Sequence, residues 1–275
     1  MLYSVTRDYK PSRHTKHRWA GTDMNRTASS SEQISFTANT QGVQGLSANT
    51  RKSPKKLKAT PPADPEYSRL EEQLNAWSHI LGAALGIAAL VICLVKAVSH
   101  HSGAGIAAAL IYGISLIVLY SLSASYHFTH PGRAKRVMRI FDHSTIFVLI
   151  AGCYTPFCLL ALNDTPLGLV VLILQWAIAA IGIGLNIWNM RSKAVKRISM
   201  ALYVVMGWMV IISIKPLIAS VDASSLLWLL AGGIAYTVGI AFYAAGGKKP
   251  YMHFIWHLFV LAGSVLQFIS IIQLF

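Results

Sequence analysis

The run GIAAALIYGISLIVLYSLSASYHF, residues 105–128, decides the fold. It contains no Asp, Glu, Lys or Arg. Its length suffices to cross a hydrocarbon core of about 30 Å as a helix rising about 1.5 Å per residue. Lipid offers backbone amides no hydrogen-bond partner, so such a segment has to satisfy them internally, as a helix does. Its polar residues gather at one end. Ser123 and His127 stand four apart there and share a helix face.

Outward from this run the pattern repeats. Comparable apolar spans cover residues 76–98, 141–162, 166–189, 197–218, 224–245 and 251–274. Breaks fall at 100–103, at Pro131-Gly132, at 163–166, at 191–193, after Pro216 and at 246–250. The chain of 275 residues is 54% hydrophobic and only 12% charged, with mean hydropathy +0.51. An ordinary soluble domain carries about 25% charged residues. The expected fold class is therefore an all-α integral membrane protein, a bundle of seven transmembrane helices over residues 67–275.

Residues 1–66 form a polar tail rich in Ser, Thr, Lys, Arg and Gln. The tail has no apolar run of the kind a secretory signal needs, and it buries too little apolar surface to offset the cost of ordering. It is expected to be a disordered, basic, cytoplasmic tail. Its stretch RKSPKKLK, residues 51–58, either rests on anionic lipid headgroups or stays solvated. Cys93, Cys153 and Cys158 all fall within apolar spans and form no C-x-x-C pair, so they read as packing residues.

The net charge of +14 does not point to nucleic acid. Twelve of the 24 Lys and Arg residues lie in residues 1–69, without a folded module to present them. Eight more lie in two clusters: Arg133, Lys135, Arg136 and Arg139, then Arg191, Lys193, Lys196 and Arg197. Lys248 and Lys249 form a third. These follow alternate spans, which by the positive-inside rule predicts a cytoplasmic N-terminus and an outer C-terminus. The partners expected are membrane lipids and anionic headgroups, not nucleic acid.

This topology brings polar residues from different spans into one layer. His127 ends the second span, Asp142 opens the third, and His253 and His257 open the seventh. Ionisable groups are costly in lipid and mark functional sites. His253 and His257 share a helix face, so one helix supplies two ligands, and His127 supplies a third. Three imidazoles suit Zn2+ and leave a fourth position open, although Cu, Fe and Ni also accept imidazole. Asp142 is the candidate general base or water-orienting carboxylate, with a surface pairing to Arg139 as its plainer reading. Ser123 is a candidate donor to the water or to a developing oxyanion, and a backbone-bonded serine otherwise. Glu72, Asn75 and His79 lie along one face of the first helix and either support the ligands or line the cavity mouth. Simple helix-start polarity explains Glu72 and Asn75 equally well. His143 and Tyr126 flank the site but point off the ligand faces, and His100 and His101 lie at the opposite edge.

In order along the chain stand Glu72-x-x-Asn75-x-x-x-His79, Ser123-Ala124-Ser125-Tyr126-His127, Asp142, Ala151-Gly152-Cys153-Tyr154-Thr155-Pro156 and His253-Phe254-Ile255-Trp256-His257. This set resembles the hemolysin III family, the bacterial branch of the progestin and adipoQ receptor family, over residues 71–275. The resemblance implies seven helices, a cytoplasmic N-terminus and zinc on His127, His253 and His257. It also implies that Asp142 holds the zinc-bound water. Kinship with alkaline ceramidases implies hydrolysis of a lipid amide, and bacterial members are tied to membrane lipid homeostasis. The bacterial inner membrane is the implied location. The long basic tail departs from the compact bacterial pattern. Two alternatives remain: a receptor or membrane-state sensor with a structural zinc site and, ranked below it, a pore-forming cytolysin.

Overall fold

The computed structural model describes residues 67–246 and 249–275, all helix and short connection. The expected tail over residues 1–66 lies outside them. The helices are α1 (Arg69–Ser99), α2 (Gly103–Phe128), α3 (Arg133–Pro156), α4 (Pro166–Asn189), α5 (Lys193–Gly207), α6 (Ile214–Ser220), α7 (Ala223–Ala245) and α8 (Met252–Ile271). Among the described residues, seven segments are long and apolar enough to cross a membrane. A widened turn, Phe157–Ala161, extends α3, and α5 and α6 together make one span, Lys193–Ser220. The all-helical, seven-span fold is thus as expected. Side chains on the outer faces, such as Val95, Leu169, Ile187 and Leu227, are each more than 60% exposed, as contact with lipid requires.

Three helix starts lie earlier than the apolar patterns suggest. α1 begins at Arg69 because Ser68 and Glu71 form a capping box: Ser68 Oγ accepts from Glu71 N at 3.2 Å, and Glu71 Oε2 accepts from Ser68 N at 3.0 Å. α3 begins at Arg133 and α5 at Lys193, so most of the basic clusters read as loops are first turns of helices. Lys and Arg favour helix, and their long stems let the charged heads reach water from a helix end.

α1 packs against α2 and α8, α7 against α8, and α3 against α2 and α4. Small residues let these backbones approach closely. A Cβ added to Gly82 of α1 would sit 2.4 Å from the Tyr120 ring, and one added to Gly113 of α2 would sit 2.5 Å from the Leu90 side chain. Hydrogen bonds tie the same helices together. Tyr120 Oη donates to Ser264 Oγ at 2.7 Å, and Tyr236 Oη meets that hydroxyl at 2.8 Å, joining α2, α7 and α8.

The fifth span is interrupted. Beyond Gly207 the chain tightens into a 3-10 segment, Met209–Ser213, before α6 resumes. Tyr154 of α3 closes this gap: its hydroxyl donates to Gly207 O at 2.8 Å and accepts from Val210 N at 2.8 Å. Both backbone groups of the break are thereby satisfied in an apolar setting. The packing neighbours of α5 are α4 and α3, and that of α7 is α8. α5 and α7 face each other across an apolar cavity of about 330 Å³, also walled by α3 and α8.

Candidate metal centre

His127, His253 and His257 are all buried, and each offers a ring nitrogen within 4.8 Å of the other two. The tautomers follow from their partners. His127 Nδ1 stands 2.6 Å from Glu72 Oε2; a carboxylate only accepts, so Nδ1 carries the proton. Its Nε2 therefore presents a lone pair, buried and without a hydrogen-bond partner among the described residues. His257 Nδ1 faces the Asn75 backbone carbonyl at 3.4 Å and donates to it, so its Nε2 is an acceptor as well. His257 Nε2 and His253 Nε2 stand 3.1 Å apart. Two imidazole nitrogens that close need either one proton between them or a cation that both can share. Three convergent ring nitrogens in a buried pocket, two of them set as lone-pair donors by their partners, fit a metal ion. Bonds of about 2.0–2.1 Å in a tetrahedral set space the ligand atoms about 3.3 Å apart, and the His253–His257 pair is already near that spacing.

The first turn of α1 holds this cluster. Glu72 grips His127 through Oε2 and Lys135 Nζ through Oε1, each at 2.6 Å. Lys135 Nζ is anchored further by Thr129 O at 3.1 Å and lies 4.9 Å from the centre of the Tyr126 ring. Glu71 serves the other helix. Besides closing the capping box, its carboxylate accepts the backbone N–H of Tyr251, which precedes α8 in a left-handed conformation at φ 60°. Asn75 lies between two ligands: its Nδ2 is 3.5 Å from His127 Nδ1, and its carbonyl faces His257.

Each residue expected at the site lies at this end of the bundle, with differing contacts. Glu72 and Asn75 touch the clustered histidines directly. His79 is buried and stacks on His257, ring centres 3.8 Å apart and planes at 19°, and both its nitrogens lack a hydrogen-bond partner among the described residues. It packs against a ligand ring and is not among the three-residue set. Asp142 is buried, stands 3.3 Å from His143 Nδ1, and interacts electrostatically with His127 and His253. Ser123 Oγ is buried on the Asp142 side without a hydrogen bond of good geometry. His143, as expected, is not one of the three, but it has work of another kind: Nδ1 contacts Asp142 and Arg139 O, and Nε2 meets Tyr243 Oη at 3.2 Å. It holds the Asp142 carboxylate through Nδ1.

Four contributors escape a reading of spacing alone. Tyr67 stacks on His253, ring centres 4.8 Å apart and planes at 18°, and covers the cluster from the N-terminal side of α1. Burial raises its phenol pKa above the ordinary value, so it stays neutral. Glu71, Lys135 and His143 are the others. Only Glu71 left a legible signal, the Ser68-x-x-Glu71 capping pattern; the rest depend on contacts between helices.

Residues 67–268 match the family described as Haemolysin-III related. The chain belongs to this family. Hemolysin-3 of Bacillus cereus is 40% identical over 202 residues, covering 74% of this chain and 90% of that protein. The Hemolysin-3 homolog of Bacillus subtilis (strain 168) is also 40% identical over 202 residues, covering 93% of its own length. A more distant human relative, monocyte to macrophage differentiation factor, is 26% identical over 170 residues, 58% of this chain and 67% of its own length. The matched haemolysin-III region begins at Tyr67, the residue that lies over His253, and includes all three ligand candidates.

Proposed function

We propose that this haemolysin-III family protein is a zinc-dependent hydrolase of a lipid amide in the bacterial inner membrane, acting in membrane lipid homeostasis. The observation that carries the reading is the convergence of three buried imidazole nitrogens beside an apolar cavity. His127, His253 and His257 hold the ion. Zinc with three protein ligands keeps a position open, acts as a Lewis acid toward a carbonyl and lowers the pKa of water to about 7. Glu72 holds the His127 ring in the tautomer that aims Nε2 inward, and the Asn75 carbonyl does the same for His257. Asp142, steadied by His143, accepts a proton from the attacking water. The buried Ser123 hydroxyl, beside Asp142, donates to the oxygen on which charge develops.

The cavity suits an acyl chain. Its volume of about 330 Å³ falls within the usual range for ligand pockets, about 300–1,000 Å³. Its walls are mainly Leu, Ile, Val and aromatic side chains, with Tyr243 and Trp256 at the end near the histidines. The Tyr243 ring lies 6.3 Å from that of His253 and 5.5 Å from that of Trp256. A chain lying in the cavity places its head toward Asp142 and the imidazoles.

The alternative, a receptor or sensor with structural zinc, draws support from one feature. The ligands sit on α2 and α8, which both pack on α1, so the ion also clamps separate helices. Pore formation ranks last: Gln175 and Gln267 each donate to a backbone carbonyl of a neighbouring helix and Asn186 bonds Ser144 and Ser199, so these sparse polar groups hold helices together and form no continuous polar row.

Metal analysis and fatty-acid release decide among these. The purified chain should carry zinc and release acid from ceramide-like amides, and the His127/His253/His257 triple alanine variant should do neither. A zinc-loaded protein without turnover on any acyl amide, but with a lower Tm after chelation, establishes the structural role instead.

A further inference from the structure

A second recess lies at the same end of the bundle, between the start of α3 and the end of α4, with a volume of about 420 Å³. We propose that it binds the phosphate headgroup of an anionic membrane lipid. Its wall carries Arg133, Arg136, Arg139 and Arg191, and among the described residues no acidic side chain lines it. Arg133, Arg136 and Arg191 are exposed, and none pairs with a carboxylate among the described residues. Arg139 is half-buried, already engaged with neighbours, and closes the inner wall.

The charge arrangement calls for an anion. Arg133, Arg136 and Arg139 recur every three residues, which keeps them on neighbouring faces of α3 where like charges repel. Arg191 adds a fourth positive charge from beyond α4. Guanidinium groups offer paired N–H donors that match phosphate oxygens, two at a time. One phosphodiester among them relieves the repulsion and satisfies several donors at once.

The rim points to a lipid as the source of that phosphate. Val137, Ile187 and Trp188 border the recess and are 44%, 66% and 78% exposed. Tryptophan favours the depth where headgroup meets hydrocarbon, and basic pockets between helices at that depth bind anionic headgroups. Acyl chains of a bound lipid cover this apolar rim, whereas free phosphate leaves it bare. A phosphatidylglycerol-type lipid has the required chemistry; a zwitterionic lipid brings its own cation into the arginine cluster and is disfavoured. This inference is independent of the metal centre.

The test is thermal stability of the purified full-length protein in neutral detergent. It is titrated with short-chain phosphatidylglycerol, with phosphatidylcholine, or with inorganic phosphate. A ligand present at about 100 times its Kd should raise Tm by roughly 5–10 °C. Phosphatidylglycerol should produce the shift, and the other two should not. A variant with Arg133→Gln, Arg136→Gln and Arg191→Gln should lose it. A tail variant with Arg51, Lys52, Lys55 and Lys56 each changed to Gln should keep it. The proposal is overturned if the triple variant responds like wild type, if the tail variant alone loses the response, or if phosphate or phosphatidylcholine serves equally well. Should the triple variant fail to fold, a photoactivatable phosphatidylglycerol on the wild type decides. Labelling on peptides holding Val137, Ile187 and Trp188 supports the site, and labelling elsewhere sinks it.

Discussion

The Glu71 carboxylate accepts the backbone N–H of Tyr251, linking the first turn of α1 to the residue that launches α8. The consequence is positional: α8 carries His253 and His257, so their register against His127 is set from α1. Tyr251 sits at φ 60°, a left-handed conformation that costs a non-glycine residue about 1–3 kcal/mol and persists only when its surroundings hold it. Glu71→Ala removes the acceptor and half of the capping box. Leaving such donors unpaired costs about 1–3 kcal/mol, a fall in Tm of roughly 2–12 °C at this size. Thermal melts of the zinc-loaded variant check the loss of stability, and chelator competition should show weaker metal retention, although Glu71 touches no ligand.

Glu72→Gln tests the orientation of His127. The amide keeps the shape of the carboxylate but gives up the charge shared between His127 and Lys135. Loss of a partner that orients a metal-bound imidazole typically weakens affinity by about 10–100-fold. Competition against a chelator of known strength measures this directly. An unchanged zinc affinity would show that His127 needs no such support.

Gly233 offers a way to separate the cavity from the metal. It lines the apolar cavity on α7, and a Cβ built there meets nothing within 4 Å. Gly233→Phe should therefore fill the cavity without clashing at its first atom. Zinc content should stay at the wild-type level while release of long-chain fatty acid falls at least about 10-fold, since a blocked pocket forfeits more than about 1.4 kcal/mol of binding. Full turnover in this variant would place the acyl chain elsewhere.

Tyr154→Phe removes both hydrogen bonds across the break between α5 and α6. Hydrogen bonds inside membrane proteins average about 0.6 kcal/mol, with a maximum near 1.7 kcal/mol. The pair should therefore contribute about 1–2 kcal/mol, and Tm should fall by roughly 2–8 °C. Hydrogen exchange should rise at Val210, whose N–H loses its partner, and stay unchanged in α1 and α2.

The amino-acid sequence by itself determined the seven apolar spans, the four-residue spacing of His253 and His257, and the gathering of His127, Asp142 and the two others at one end. These are consequences of local periodicity and of lipid's inability to solvate a backbone or a charge, so they can be read without coordinates. Tertiary structure alone decided which nitrogen of His127 and of His257 faces inward. That depends on Glu72 and on the Asn75 carbonyl, groups 55 and 182 residues away from the imidazoles they orient. The same holds for Tyr154, whose hydroxyl bonds the fifth span across 53 and 56 residues of chain. Hydrogen-bond direction is fixed by how helices rotate against one another, and that rotation is a property of the packed bundle, with no trace in the spacing along any single helix.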